Sequence, residues 1–93
     1  SFNKAPQAKR DALLKTMRKA VAHPRLVGRL LAIETLAMSP DALPREDVDQ
    51  DLAALAKLAG DTARPAGEDW KGATLAERAK EAIENLKTAK KKP

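Results

Sequence analysis

Apolar residues recur at the spacing of an amphipathic helix in four segments of the chain. The first segment runs from about Gln7 to Ala22. The second runs from Pro24 to Met38. Apolar residues cover well over half of its circumference, which predicts that it is the central helix. The step from His23 to Pro24 separates the two, because a residue that precedes proline is disfavoured in helical geometry. Gly28 and Ala32 leave a shallow strip on the second helix, which a neighbouring group can approach closely.

The third segment begins at Pro44 and keeps helical spacing as far as Gly60. This segment is predicted to be one helix, or a short helix followed by a longer one. In the second case Asp51, whose side chain suits an N-cap, begins the longer helix. The last helix is predicted to begin at Thr74, because Thr74 and Glu77 have the spacing of a capping box. The stretch between Gly60 and Thr74 is the longest predicted loop.

These segments predict an all-α fold, a compact bundle of four to five helices. Alanine and leucine supply most of the 43% apolar content, and the scarcity of β-branched and aromatic residues favours helix over sheet. The core positions expected are Leu30, Leu31, Ile33, Leu55, Ala79 and Ile83. We expect residues 1–6 to be a disordered segment or a cloning remnant, residues 7–88 to form one domain, and residues 89–93 to be a solvated basic tail.

Charge is distributed unevenly along a chain whose formal net charge is +5. Residues 1–29 contain eight basic residues and one acidic residue. Residues 30–70 contain three basic and nine acidic residues, and residues 71–93 contain seven basic and three acidic residues. A basic first helix and a basic end therefore flank an acidic middle. No run approaches the ~20 apolar residues that span a bilayer, so we expect no membrane association.

Residues suited to catalysis or metal binding are scarce. The chain has no cysteine, His23 is its only histidine, and its serines are Ser1 and Ser39. No base can be paired with a nucleophile, a zinc site would depend on carboxylates, and no glycine-rich phosphate loop is present. We therefore expect no enzyme activity, no bound metal and no cofactor.

Trp70 is the only tryptophan, and it lies in the polar loop that precedes the last helix. A large apolar side chain in such a loop either anchors the loop to the core or contacts a partner. The residues alone leave both roles open.

The order of the segments carries a resemblance to a known family. An apolar helix with Leu30, Leu31 and Ile33 is followed by a short segment over residues 44–51. After these come Leu52-Ala53-Ala54-Leu55-Ala56-Lys57, a loop that carries Trp70-Lys71, and Leu75-Ala76-Glu77-Arg78-Ala79-Lys80. This order resembles the N-terminal domain of transcription elongation factor TFIIS. With its extra helix over residues 7–22, it is more similar still to the integrase-binding-domain branch of that fold. The chain departs from the TFIIS pattern at Leu86-Lys87, where the last helix usually has Trp-Lys, and in its longer loop.

The resemblance implies a non-catalytic scaffold of a transcription elongation or chromatin-associated factor. Domains of this family bind short disordered peptides, often acidic and bearing phenylalanine, so a monomeric nuclear domain is expected. The implied groove lies between two loops, with Val21, Ala22, His23 and Pro24 on one side and Trp70 and Lys71 on the other. An aromatic side chain beside basic residues independently suits an apolar anchor that is flanked by acids.

Two other classes of function stay open. A basic helical module would contact nucleic-acid phosphates through Lys15, Arg18, Lys19, Lys90, Lys91 and Lys92, although no aromatic residues are interleaved with these cations. A helical bundle that docks onto the replisome, similar to the C-terminal region of bacterial primase, is indicated by the stretch from Met17 to Leu30 with its break at His23-Pro24.

Overall fold

Four α-helices form within residues 4–91, the part of the chain that the computed structural model describes, and a turn of 3-10 helix precedes the last of them. Their bounds are Gln7–Ala20 for α1, Leu26–Leu36 for α2, Asp49–Ala56 for α3, Leu75–Lys91 for α4 and Glu68–Trp70 for the 3-10 turn. No strand occurs in this range, and the described residues measure 32 × 25 × 24 Å. The predicted compact all-α bundle is confirmed.

The ends of the chain lie partly outside the described residues. The structure does not describe residues 1–3 of the predicted N-terminal segment. It also does not describe Lys92 and Pro93 of the predicted tail. Helix α4 extends through Lys91, so positions 89–91 are helical, although the sequence predicts a solvated tail from residue 89. The Nζ atom of Lys90 lies 2.5 Å from the Asp49 Oδ1 atom, which joins the end of α4 to the start of α3.

The connection between α1 and α2 is held by side chains of its own residues. Helix α2 begins at Leu26, two residues after the predicted start, because Arg25 has an extended backbone, with φ of −92° and ψ of 142°. The Arg25 N–H, which has no helical carbonyl to bind at this end of the helix, donates to His23 Nδ1 at 3.0 Å. The Arg29 Nη1 atom donates to the carbonyls of His23 and Pro24 at 3.0 and 3.1 Å. These bonds fix the short connection against the first turn of α2.

The third helix begins later than the sequence predicts. Helix α3 starts at Asp49 instead of Pro44, and the Asp47 Oδ1 atom accepts the Asp49 N–H at 2.8 Å. Asp47 therefore does the local capping that was expected of Asp51. The prediction that Asp51 is a cap is wrong, because its side chain lies inside α3 and is fully buried.

Asp51 is bound there by two arginines from other parts of the chain. The Arg18 Nε atom of α1 lies 2.5 Å from Asp51 Oδ1, and the Arg45 Nη1 atom lies 2.8 Å from Asp51 Oδ2. Only 1% of the Arg45 side chain is exposed. A buried charge is tolerated only when it is paired and hydrogen-bonded, and both conditions are met here.

Arg45 also fixes the end of α2. Its guanidinium donates to the Leu36 carbonyl at 3.1 Å, to the Leu43 carbonyl at 3.1 Å and to the Met38 carbonyl. The last carbonyls of a helix lack intrahelical partners, so Arg45 satisfies groups that burial would otherwise leave unpaired. The cluster of Arg18, Arg45 and Asp51 thus joins α1, the end of α2 and α3.

The core lies between these helices. Its fully buried large apolar side chains are Leu14, Leu36, Leu43, Leu55, Leu75 and Leu86. Of the expected core positions, Ile33, Leu55 and Ala79 are buried, and Leu30 and Ile83 are partly buried against the core. The prediction for Leu31 is wrong, because half of this side chain faces solvent.

We predict that Asp51→Ala lowers the free energy of unfolding by about 3–5 kcal/mol, because it leaves the buried Arg45 cation unpaired. The matched control is Asp49→Ala on the same helix, whose solvent-exposed pair with Lys90 is expected to contribute far less. Urea denaturation followed by circular dichroism measures both values. Equal losses for the two variants would show that the buried cluster does not stabilise the fold.

The start of α4 has the predicted capping box. The Thr74 N–H donates to Glu77 Oε1 at 3.0 Å, and the Glu77 N–H donates to Thr74 Oγ1 at 3.1 Å. The hydrogen bond from the Thr74 backbone lowers the pKa of the Glu77 carboxyl below its ordinary value of 4.5, with help from the Thr74 hydroxyl. The folded state therefore favours the ionised carboxylate.

We predict that Glu77→Gln loses stability at pH 7 and that its deficit shrinks at pH 3. A carboxyl with a lowered pKa stabilises the fold above its unfolded pKa, and this contribution is lost as pH falls through the folded pKa. Thermal unfolding at both pH values measures the difference from the unmodified protein, with Glu84→Gln on the same helix as the control. A deficit for Glu77→Gln of the same size at both pH values would contradict the assignment.

Candidate interaction surface

Helix α2 exposes three large apolar side chains. Leu26, Val27 and Leu31 are 36%, 57% and 49% exposed, and they are the exposed large hydrophobic residues of the described chain. Val27 and Leu31 lie one turn apart on the same face, beside the partly buried Leu30. Single exposed apolar residues are ordinary, but a cluster of them on one helix indicates an interaction surface. We call Leu26, Val27 and Leu31 the α2 face.

The α2 face stays in solvent because the opposite side of the helix fills the core. Ala32, Ile33 and Leu36 are 0%, 3% and 0% exposed. Helix α2 packs against α1, α3 and α4, but these neighbours cover only one side of it. A helix that is apolar on nearly all sides cannot bury its whole circumference in a four-helix bundle. The sequence signal for this surface is the same apolar excess that predicted a central helix.

The connection that precedes α2 borders this face. Ala22, His23 and Pro24 are exposed, whereas Val21 is buried with 4% of its surface accessible. The His23 ring lies against Gly28, where an added Cβ would come within 2.4 Å of the ring. At Gly28, one of the two residues of the predicted strip, the group that approaches closely is this imidazole.

Positive charge surrounds the N-terminal end of α2. Arg25 and Lys19 are exposed, and neither makes an ion pair within residues 4–91. The cation of Arg29 is already bound, because its Nε lies 2.8 Å from the Asp61 Oδ2 atom. Cations that a partner can still bind therefore lie at the N-terminal end of the apolar face, whereas the exposed Glu34, one turn beyond Leu31, places a carboxylate at its other end.

Trp70 anchors the loop that precedes α4. Only 7% of the residue is exposed, and its Nε1 atom donates to the Glu34 Oε1 atom at 3.3 Å. The Arg78 guanidinium lies over the ring, 5.4 Å from its centroid, and donates to the carbonyls of Asp69 and Trp70 at 2.7 and 3.2 Å. Of the two roles that the sequence leaves open for Trp70, the structure shows the loop anchor, because the loop folds the ring against α2 and α4.

The two sides of the predicted groove lie at different turns of α2. His23 contacts the first turn of α2 at Gly28, whereas Trp70 contacts its last turns at Glu34. Six residues of helix place these points about 9 Å apart along the axis. Lys71, the other residue predicted on the Trp70 side, is exposed and has a left-handed φ of 49°.

The cleft beside Trp70 has the wrong charge for the predicted acidic peptide. It has a volume of about 220 Å³, and its walls include the apolar side chain of Ile33. Three carboxylates line it, those of Glu34, Asp69 and Glu81, against the single cation of Arg78. Repulsion between like charges therefore disfavours an acidic partner at this cleft.

Some of the cations predicted for nucleic-acid contact already form ion pairs with carboxylates of the domain. Arg18 is bound to Asp51, and Lys90 is bound to Asp49, whose hydrogen bond raises the Lys90 pKa above its ordinary value. Lys15, Lys19 and Lys91 are exposed, and Lys92 lies outside the described residues. Two of the six expected phosphate contacts are thus already paired with carboxylates inside the domain.

Comparison of the chain with protein-family models, with curated proteins and with solved structures gives no match. The resemblance to the TFIIS N-terminal domain therefore stays a prediction. Within residues 4–91, no helix is both long and apolar enough to cross a membrane, and no three metal-ligating side chains converge.

We predict that Trp70→Ala lowers the free energy of unfolding by about 3–5 kcal/mol, because it empties a buried aromatic site. Trp70→Phe keeps most of the ring volume, so it is the matched control and is expected to lose less. Urea denaturation followed by circular dichroism measures both variants without depending on tryptophan fluorescence. A loss below about 1 kcal/mol for Trp70→Ala would mean that the ring is not an anchor.

Proposed function

We propose that this domain is a non-catalytic interaction module that binds short acidic peptide segments on the α2 face. The observation that carries the proposal is the exposure of Val27 and Leu31 one turn apart on a helix whose other side is buried. The proposed setting is a transcription elongation or chromatin-associated factor in the nucleus. That setting derives from the resemblance to the TFIIS N-terminal domain.

The chemistry of the surface supports a partner with an apolar anchor. Val27 and Leu31 present aliphatic groups that gain roughly 25 cal/mol for each Å² removed from water. A phenylalanine of the partner offers a large apolar area at a small cost in conformational entropy. Such an aromatic anchor is therefore the residue expected to contribute most of the binding free energy.

The charge at the N-terminal end of the surface supports acids on that side of the anchor. Lys19 and Arg25 are exposed near the start of α2, and Arg29 is already bound to Asp61. Acids of the partner then increase the association rate and set its direction on the surface. In this arrangement the peptide does not contact Trp70, which instead holds its loop in place.

The loop from Ala22 to Pro24 extends the same surface. These residues directly precede α2, and the contact of His23 with Gly28 fixes the loop beside the helix. A peptide on the α2 face that continues toward the helix N-terminus then meets Ala22 and His23. This part of the predicted groove is retained in the proposal, whereas Val21 supports it from the core.

We predict that an acidic peptide with one phenylalanine perturbs amide shifts between residues 22 and 31. Val27→Glu should weaken this peptide at least about tenfold, because it places a carboxylate where the anchor binds. The side chain is more than half exposed, so folding should change by no more than about 0.5 kcal/mol. The matched control is Ala53→Glu, at an exposed alanine of α3.

The outcomes of this titration are distinct. Equal weakening by Val27→Glu and Ala53→Glu would point to a general charge effect and contradict the site. A short DNA duplex, titrated in parallel, tests the nucleic-acid alternative. Micromolar DNA binding that falls steeply with salt, together with no response to the peptide, would overturn the proposed function.

A further inference from the structure

A cleft beside the C-terminal half of α2 combines an apolar lining with acidic side chains, and we call it the acidic cleft. It has a volume of about 220 Å³ and lies between α2, α4 and the 3-10 turn Glu68–Trp70. Ile33 and Ala37 of α2 and Ala82 of α4 form its apolar lining. Ile33 and Ala82 are each 3% exposed, so they belong to the core. The cleft is therefore already formed in the free domain and can accept the aliphatic part of a side chain.

The acidic cleft contains more carboxylates than the domain itself pairs. Glu34, Asp69 and Glu81 line it and are exposed, and Arg78 is the one cation of its lining. The Arg78 Nη1 atom lies 3.7 Å from the Glu81 Oε2 atom, and a hydrogen bond to the Trp70 carbonyl at 3.2 Å holds the guanidinium in place. Glu34 and Asp69 make no ion pair within residues 4–91. Two carboxylates therefore remain for a cation from outside the domain.

The charged residues next to this lining do not reverse its sign. Glu68 and Lys71 lie on either side of Asp69-Trp70, and their opposite charges offset each other. Glu84 is exposed one turn beyond Glu81 on α4 and adds a further carboxylate. A cationic group of a partner is therefore attracted to the cleft, whereas an anionic group is repelled.

The acidic cleft continues the α2 face toward the C-terminal end of the helix. Val27, Leu31 and Glu34 are spaced by four and three residues, so they lie on one side of α2. The midpoint between Val27 and Leu31 is five residues from Glu34, about 7.5 Å along the helix axis. In an extended peptide, side chains two positions apart point to the same side and lie about 6.7 Å from each other. A side chain two positions from the apolar anchor can therefore reach Glu34.

We propose that the acidic cleft binds an arginine side chain of the same peptide whose phenylalanine lies on the α2 face. The arginine is two positions from the phenylalanine, on the side opposite to the acids of the peptide. Its aliphatic stem packs against Ile33, and its guanidinium donates to the carboxylates of Glu34 and Asp69. A guanidinium can bind both at once, because it presents five N–H donors in a planar fork. The Trp70 ring stays covered by Arg78 and is not part of the contact.

This inference rests on the proposed function and makes the partner more specific. Acids of the peptide lie near Lys19 and Arg25, at the N-terminal end of α2, and the arginine lies at the other end. The charge of the peptide is then complementary to the charge of the domain along the whole binding surface. Reversing the peptide on α2 would place its arginine beside cations and its acids beside carboxylates, so only one direction of binding is favoured.

The test compares two extended peptides of ten residues that differ at one position. Both contain two glutamates and a phenylalanine, with arginine or norleucine two positions from the phenylalanine. Norleucine keeps an unbranched aliphatic chain and removes the charge. Each peptide is made with its glutamates before or after the phenylalanine and is titrated into the ¹⁵N-labelled chain. In the tighter order, the arginine peptide should bind at least about fivefold more tightly and should shift the amides of Glu34 and Asp69 as well as residues 22–31.

Variants of the cleft show whether its carboxylates cause this preference. Glu34→Gln removes the charge and keeps an oxygen that can accept the Trp70 Nε1–H, so the fold should be retained. It should reduce the preference for arginine over norleucine to less than about twofold, as the coupling in a double-mutant cycle. Asp69→Asn is a second variant, at an exposed position, and should reduce the preference at least about twofold. The control is Glu46→Gln, an exposed acid outside the cleft lining, which should leave the preference unchanged.

The outcomes separate the inference from the proposed function. Equal affinity for the arginine and norleucine peptides, with shifts of residues 22–31, would overturn the arginine site and leave the α2 face intact. A preference for arginine that is as large in Glu34→Gln and Asp69→Asn as in Glu46→Gln would also overturn it, because the arginine would then bind elsewhere. No shift of residues 22–31 with either peptide at millimolar concentration would reject the proposed function, and the arginine site with it.

Discussion

A carboxylate with no exposed surface lies where α1, α3 and the connection between α2 and α3 meet, and its two ion pairs join these parts of the chain. Removing Asp51 from water costs several kcal/mol, which only close cations with satisfied hydrogen bonds can offset. Arg18 and Arg45 provide these cations at 2.5 and 2.8 Å. Because Arg45 also binds the Leu36 carbonyl, the Asp51 carboxylate is connected through Arg45 to the C-terminal end of α2.

This constraint explains why an apolar face stays in water. With its C-terminal end held by Arg45 and its N-terminal end by the His23 connection, α2 cannot rotate to hide Val27 and Leu31 without exposing Ile33 and its neighbours. The fold thus retains an apolar surface that a partner can cover. The same rigidity favours binding, because a pre-organised surface loses little conformational freedom when a peptide docks. The packing of α2 therefore accounts both for the exposure of its apolar face and for the binding that we propose there.

The sequence predicted what depends on local chemistry. The capping box of Thr74 and Glu77 is visible because its partners lie three residues apart. Asp51 was misassigned because its partners lie 33 and 6 positions away, and a carboxylate of this kind is usually a cap. Leu31 was misplaced because α2 is apolar on both sides, so periodicity does not say which side faces the core. The role of Trp70 depended on Glu34, a contact across 36 positions that no local pattern encodes.

The most direct test of the α2 face is its accessibility to a neutral, soluble paramagnetic agent, read from the methyl signals of Val27 and Leu31. In the free domain these signals should broaden strongly, whereas the methyl signals of Ile33 and Leu36 should not. On saturation with an acidic phenylalanine peptide, Val27 and Leu31 should become protected, since the peptide covers them. Methyl groups that are already shielded in the free domain, or that stay fully accessible in the complex, would contradict the assignment of α2 as the binding surface.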